Sequence, residues 1–86
     1  MPAHEVLLSK TARKQLLLLP LAVHNRIIED IASLGIVPRP LGCKKLKGYK
    51  NSFRIRVGNY RVIYEIEDNV LRILVLAIGH RKDVYK

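Results

Sequence analysis

Twelve residues near the middle of this chain constrain its fold more than any others. Phe53-Arg54-Ile55-Arg56-Val57 alternates apolar and charged residues, Gly58-Asn59 supplies a two-residue turn, and Tyr60-Arg61-Val62-Ile63-Tyr64 returns. A two-residue loop of this kind pins the register of a β-hairpin. Val57 therefore faces Tyr60, Arg56 faces Arg61 and Arg54 faces Ile63. Strand side chains alternate between faces, so Arg54, Arg56 and Arg61 share one side of the sheet. Phe53, Ile55, Val57, Tyr60, Val62 and Tyr64 take the other side and read as core. Like charges directly across a ladder destabilise it. A fold gains nothing from that arrangement unless an anion comes to neutralise it.

The rest of the chain supports the same direction. Its 86 residues suffice for one domain, expected over residues 1–86, and 49% of them are apolar, enough to fold. The net charge of +9 points to a polyanion, either nucleic acid or an acidic protein. Eight basic residues and no acidic one lie between Arg39 and Tyr64, whereas residues 1–38 hold four basic against three acidic ones. The surplus is thus local. Cys43 is the single cysteine, which excludes an internal disulfide and fits a reducing cytoplasm. It has no neighbouring ligand spacing for zinc, and no metal site is expected. The apolar run at 16–23 is broken by Pro20, is too short to span a bilayer, and precedes no small-residue cleavage site. A cytoplasmic protein without a membrane partner is expected.

Apolar spacing and end signals lay out the remaining elements. Residues 4–8 suit a first strand, and Ser9 is a natural N-cap for a helix ending near Leu18 or Leu19. Pro20 fits the first turn of a second helix. Its stripe is Val23, Ile27, Ile31 and Leu34, broadened by Ile28, and Gly35 takes the C′ position. Residues 38–42 form a loop, followed by a basic stretch with one apolar anchor, Leu46. Strands are predicted at about 52–57, 60–67 and 70–79, with Asp68-Asn69 as a tight turn setting Glu65 opposite Arg72. Residues 71–78 are apolar on both faces apart from Arg72, as interior strands are, so the first strand should pair beside them. The fold class is α+β: an N-terminal strand, an αα-hairpin, then a three-stranded antiparallel meander, with the helices on one face. On the arginine side this register also places Ile63, Leu74, Leu76 and Ile78. Such an apolar strip needs a cover, either the curl of the sheet or a separate protein.

The tail Gly79-His80-Arg81-Lys82-Asp83-Val84-Tyr85-Lys86 completes the inventory. Gly79 permits a bend, so His80, Arg81 and Tyr85 can turn toward the arginine face. Phosphate-loop, nucleophilic-serine and metal-cluster signatures are absent from the sequence. Arginines with a histidine and a tyrosine suit phosphodiester chemistry without a metal or other cofactor. Cations meet the charge of the phosphorane, and a titratable group moves a proton. Lys44, Lys45, Lys47 and Lys50 suit non-specific contacts to an RNA backbone. The duller alternatives are solvated edge charges for Arg54 and Arg56, simple packing for His80, and structural or surface roles for His4 and His24.

Taken together, Leu46-Lys47-Gly48, the run from Arg54 through Gly58-Asn59-Tyr60-Arg61 to Tyr64, and Gly79-His80-Arg81-Lys82-Asp83-Val84-Tyr85 resemble the RelE branch of the RelE/ParE toxin superfamily. The resemblance covers the whole chain and includes the order of elements. It implies a toxin of a toxin–antitoxin pair that cuts mRNA in the ribosomal A site by 2′-OH attack on the adjacent phosphate. The implied partners are the ribosome, mRNA and a cognate antitoxin, the last seated on Ile63, Leu74 and Leu76, on the neighbouring helices, or on both. By position, Arg54 and Arg56 match two basic residues of the first hairpin strand. Arg61 matches the phosphate and transition-state clamp, Arg81 the leaving-group arginine, and Tyr85 the tyrosine that stacks on or deprotonates the substrate. The chain departs from the pattern where some members carry lysines at the first two positions. Arginine stays protonated and cannot act as a base. Tyr85 or His80 is left for that role. The other readings are a ParE-like inhibitor of DNA gyrase, which shares the fold but usually lacks the full tail set, and a non-enzymatic RNA-binding module.

Overall fold

The computed structural model describes residues 3–80. The chain runs β1 (Glu5–Leu8), α1 (Lys10–Leu17), α2 (Leu21–Leu34), β2 (Lys44–Lys45), β3 (Ser52–Val57), β4 (Tyr60–Glu67) and β5 (Arg72–His80). The strands form one sheet in the order β1-β5-β4-β3-β2. β1 lies parallel to β5, as expected of the strand beside an interior apolar one, and the other neighbours are antiparallel. The helices pack on the face that carries Ile55, Val57, Val62, Tyr64, Ile66, Ile73, Val75 and Ile78, closing a core with Ala12, Leu16, Ile27, Ile31 and Leu34. Among the described residues, no helix is long and apolar enough to cross a membrane.

α1 begins where its cap residue dictates. The Ser9 hydroxyl accepts from the Ala12 N–H at 3.0 Å and donates to the Leu76 carbonyl at 2.9 Å, so one side chain caps a helix and holds a strand. Pro20 stands at the N-cap of α2, one position before the helical turn expected of it. The α2 stripe buries Ile27, Ile31 and Leu34, while Ile28 is exposed and adds nothing to the core. Gly35 ends α2 at the predicted place for a different reason. Its φ of −65° is right-handed, so no left-handed cap is involved. A Cβ there would lie 2.8 Å from the His4 carbonyl oxygen, and the His4 N–H donates to the Gly35 carbonyl at 2.7 Å. Glycine is required by the close approach of two backbones.

The first meander turn matches the expected register at every pair: Val57 opposite Tyr60, Arg56 opposite Arg61, Arg54 opposite Ile63. Gly58 has φ +62° and Asn59 does not share the positive sign, the pattern of a type II′ turn. The second turn departs from expectation. Asp68–Val70 is a 3-10 turn, Leu71 follows in the left-handed region at φ +51°, and Glu67 rather than Glu65 stands opposite Arg72. The Arg72–Glu67 ion pair measures 3.7 Å. Asp68 is held outside a tight turn by two side chains, His4 Nε2 at 3.1 Å and the Arg39 guanidinium Nη2 at 3.0 Å.

A β-bulge changes the faces of β5. Tyr64 pairs with Val75 but Ile63 pairs with Ala77, so Leu76 is the extra residue. The groups that a bulge takes out of the ladder are met by α1: the Leu76 carbonyl by Ser9, and the Ile78 N–H by Gln15 Oε1 at 2.6 Å. Beyond the bulge alternation is inverted. Ile78, expected on the arginine side, pairs with Val62 and lies in the core. The predicted open strip accordingly shrinks: Ile63 is buried, and Leu74 and Leu76 are half-buried.

Candidate functional site

Two cross-strand rows build the cationic face. Arg56 and Arg61 stand directly opposite each other, and the next row runs from Lys44 through Arg54 to Ile63. Directly opposed residues share a face, so β2 adds Lys44 to the three arginines of the hairpin. The sequence offered no sign of β2, a two-residue strand in a stretch of lysines. Its pairing with β3 was its only detectable signature, and that is a long-range property.

Arg54 keeps only 6% of its surface, although it sits among cations. The ion pairs among the described residues all end on Asp68 or Glu67, and none reaches Arg54 or Arg56. Removing a guanidinium from water without an anionic partner is costly. A depression of about 360 Å³ is lined by Leu41, Gly42, Lys44, Arg54, Ile55 and Arg56. No acid lines it. Acidic side chains collect at the far end of β4, where Glu67 lies six residues from Arg61, roughly 20 Å along an extended strand. The described charges thus differ along the strands: cations oppose each other near the β3–β4 turn, whereas near the β4–β5 turn Arg39 and Arg72 are paired with Asp68 and Glu67.

The loop leading into β2 is held from the core side. Tyr64 is wholly buried and its hydroxyl donates to the Pro38 carbonyl at 2.8 Å. Burial pushes its phenol well above the ordinary tyrosine range, with the neighbouring Cys43 thiol adding to the rise. Tyr64 therefore stays protonated and structural. Arg39, next in sequence to Pro38, stacks its guanidinium 5.4 Å over the Phe53 ring and binds Asp68. Hydrogen bonds from Arg39 and then His4 hold the Asp68 carboxyl below the usual carboxylate range. Cys43 is packed against the core beside this anchor.

The structure brings Arg54, Arg56, Arg61 and Lys44 together. Lys45 falls on the Phe53 side of the sheet, and Lys47 and Lys50 lie exposed in the loop between β2 and β3. His80 was expected to turn toward the arginines. It stands instead opposite Tyr60, its ring edge-on to the tyrosine at 5.7 Å, on the side to which Tyr60 and Val62 point. The bulge at Leu76 is the cause, because it shifts every later side chain of β5 by one face. Arg81 and Tyr85 lie outside the described residues.

A small α+β domain with a cationic hairpin and a mixed, mostly antiparallel sheet backed by two helices is the architecture of a toxin family. The chain belongs to the RelE/ParE superfamily: the family model described as the ParE toxin of the type II toxin–antitoxin system parDE matches residues 6–85. Two relatives that it matches are toxins of the Rel type. The chain is 39% identical over 85 residues to toxin RelE3 of Methanocaldococcus jannaschii, covering 94% of each. It is 29% identical over 84 residues to toxin RelG of Mycobacterium tuberculosis, covering 96% of this chain and 97% of that one. Among solved structures, the toxin in the archaeal RelE–RelB complex of Pyrococcus horikoshii superposes with a TM-score of 0.83 at 30% identity, over 95% of this chain and 99% of that one. The protein is a RelE-family toxin of a type II toxin–antitoxin system.

Proposed function

We propose that this toxin is a ribosome-dependent endoribonuclease that cuts mRNA in the A site. The observation that carries the reading is the cationic face itself: Arg56 stands opposite Arg61, and Lys44 stands opposite Arg54, which keeps 6% of its surface without an ion-pair partner among the described residues. In the proposed reaction a ribose 2′-oxygen attacks the adjacent phosphorus and the P–O5′ bond breaks. The products are a 2′,3′-cyclic phosphate and a 5′-hydroxyl. Arg61 clamps the phosphate and meets the charge that grows on the phosphorane, supported by Arg56 across the ladder. Arg81 assists the departing O5′. Tyr85 removes the 2′-OH proton, a role for which His80 is the alternative; the placement of His80 against Tyr60 favours Tyr85.

Among the described residues the depression beside the arginines is open to solvent and does little to hold a nucleotide in line for attack. The ribosome supplies that orientation, which is worth several orders of magnitude in rate. Lys44, Lys45, Lys47 and Lys50 hold RNA phosphates, and a cognate antitoxin with acidic side chains blocks the face, as a RelB partner accompanies the Pyrococcus toxin. Ile63, Leu74 and Leu76 remain the proposed sheet contacts for it. Leu17, Leu18 and Leu21 on the helical hairpin are the more exposed apolar surface, so the helices carry the larger share.

The name of the matching family model keeps one competing reading, inhibition of DNA gyrase without nuclease activity. Mapping 5′-hydroxyl ends on translated mRNA separates the two. Cuts at A-site codons, with naked RNA left nearly intact, are the expected result. Efficient cutting of naked RNA sinks the ribosome-dependent mechanism, and uncut mRNA together with blocked supercoiling establishes the gyrase reading.

A further inference from the structure

Tyr49 has no place in the chemistry above, yet its setting is unusual. It is 64% exposed, and it is the one aromatic among the exposed large apolar side chains of the described residues. Phe53, Tyr60 and Tyr64 are all buried or half-buried. Tyr49 sits at the tip of the loop that joins β2 to β3, between Lys47 and Lys50, with Lys44 and Lys45 at its base. A groove of about 440 Å³ is lined by Lys45, Leu46, Lys47, Gly48, Tyr49 and Lys50. The loop has a fixed stem: Leu46 is half-buried and its N–H donates to the Ser52 carbonyl at 2.9 Å. Gly48, at φ +82° with open space where a Cβ would be, makes the turn that presents the ring.

We infer that Tyr49 is a stacking platform for an unpaired RNA base, with Lys47 and Lys50 on the flanking phosphates. This rests on the reading of the cationic face as an RNA site and adds a second, aromatic subsite to it. An exposed ring framed by cations is the combination that single-stranded nucleic acid uses, since every base has a π-face and every linkage a negative charge. An acidic protein would be met by the lysines alone and has no need of the ring. Tyr49 is five positions from Lys44, the cation opposite Arg54, so its backbone lies within roughly 18 Å of that of Lys44. The stacked base is therefore within a few nucleotides of the phosphate held by the arginines.

The test uses the full chain carrying Arg61→Ala to prevent turnover, and a short unstructured adenine-rich RNA with a fluorescent label. Tyr49→Ala should weaken binding about 5- to 100-fold without changing the slope of log affinity against log salt. Tyr49→Phe should bind as the parent does. Lys47→Ala should lower the salt slope by about 0.7, the signature of one lost phosphate contact. An RNA lacking bases should be insensitive to Tyr49→Ala. The inference is overturned if Tyr49→Ala leaves RNA affinity unchanged, or if it weakens binding of polyglutamate as much as binding of RNA. Because binding is measured without cleavage, a failure of the nuclease proposal on translated mRNA would leave a Tyr49-dependent affinity standing. A functioning nuclease with a Tyr49-independent affinity would remove the platform alone.

Discussion

The two meander hairpins share β4 and are built on opposite plans. The β3–β4 turn is a two-residue loop with regular pairing on either side, and it opposes Arg56 to Arg61. The β4–β5 turn is longer, contains Leu71 in a left-handed conformation, and is followed by a bulge at Leu76. Its irregular groups are satisfied by side chains far away in sequence: Ser9, Gln15, His4 and Arg39. One hairpin is locally complete and sets like charges across its ladder. The other is locally irregular and stabilised by tertiary contacts. The opposed arginines mark the proposed site, where a bound phosphate would meet both charges.

Breaking the arginine hairpin should have the largest effect, and on activity. Arg61→Ala is expected to reduce A-site cleavage by about 10²- to 10³-fold, the usual cost of one donor to a developing anion. Its fold should be retained, since Arg61 lies on the sheet face away from the helical core. Single-turnover cleavage on programmed ribosomes and thermal unfolding measure the two halves. Full activity would misplace the site.

The irregular hairpin should respond in the opposite sense, through stability. Gln15→Ala leaves the Ile78 N–H without its acceptor and is expected to cost about 1–3 kcal/mol in urea unfolding. Ser9→Ala removes both the α1 cap and the bond to Leu76, with an expected loss of about 1–2 kcal/mol. These two substitutions should be non-additive, because both act on one bulge. Strict additivity would mean that the bulge does not depend on α1.

Two pH effects sharpen the contrast at smaller amplitude. Asp68 has a carboxyl held below its unfolded value of 3.8, so its contribution is present above that value and is lost as pH falls through the lower, folded one. Asp68→Asn should flatten stability below about pH 4, where the wild-type curve declines. Tyr64 runs the other way. Its folded pKa lies above the unfolded 10.0, so its contribution is intact below pH 10.0 and is lost as pH rises past it. Tyr64→Phe should remove that alkaline decline and expose the Pro38 carbonyl as a separate cost, about 1 kcal/mol, at neutral pH. Urea unfolding across pH checks both.

Particular residues show how far the sequence could be read. Gly58-Asn59 with alternating neighbours specified the register of β3 and β4, because a hairpin with a two-residue turn is settled by local chemistry. Ser9 announced α1, and the α2 stripe announced its buried face. Gly35 was placed correctly at the end of α2 but for the wrong reason, since its need for glycine arises from His4, a residue on another element. The arginine trio was legible; Lys44 as its neighbour was not, because a two-residue strand has no pattern of its own.

By itself the sequence determined the order of strand, helices and meander, the family, and the cationic identity of the first hairpin. Those features depend on periodicity, caps and a short turn, all acting within a few residues. Tertiary structure alone decided the second register, the bulge, the burial of Ile78 and the placement of His80 beside Tyr60. A bulge becomes stable only when distant partners take the backbone groups it releases. Ser9 and Gln15 are those partners, and they reach β5 only after α1 has docked on the sheet.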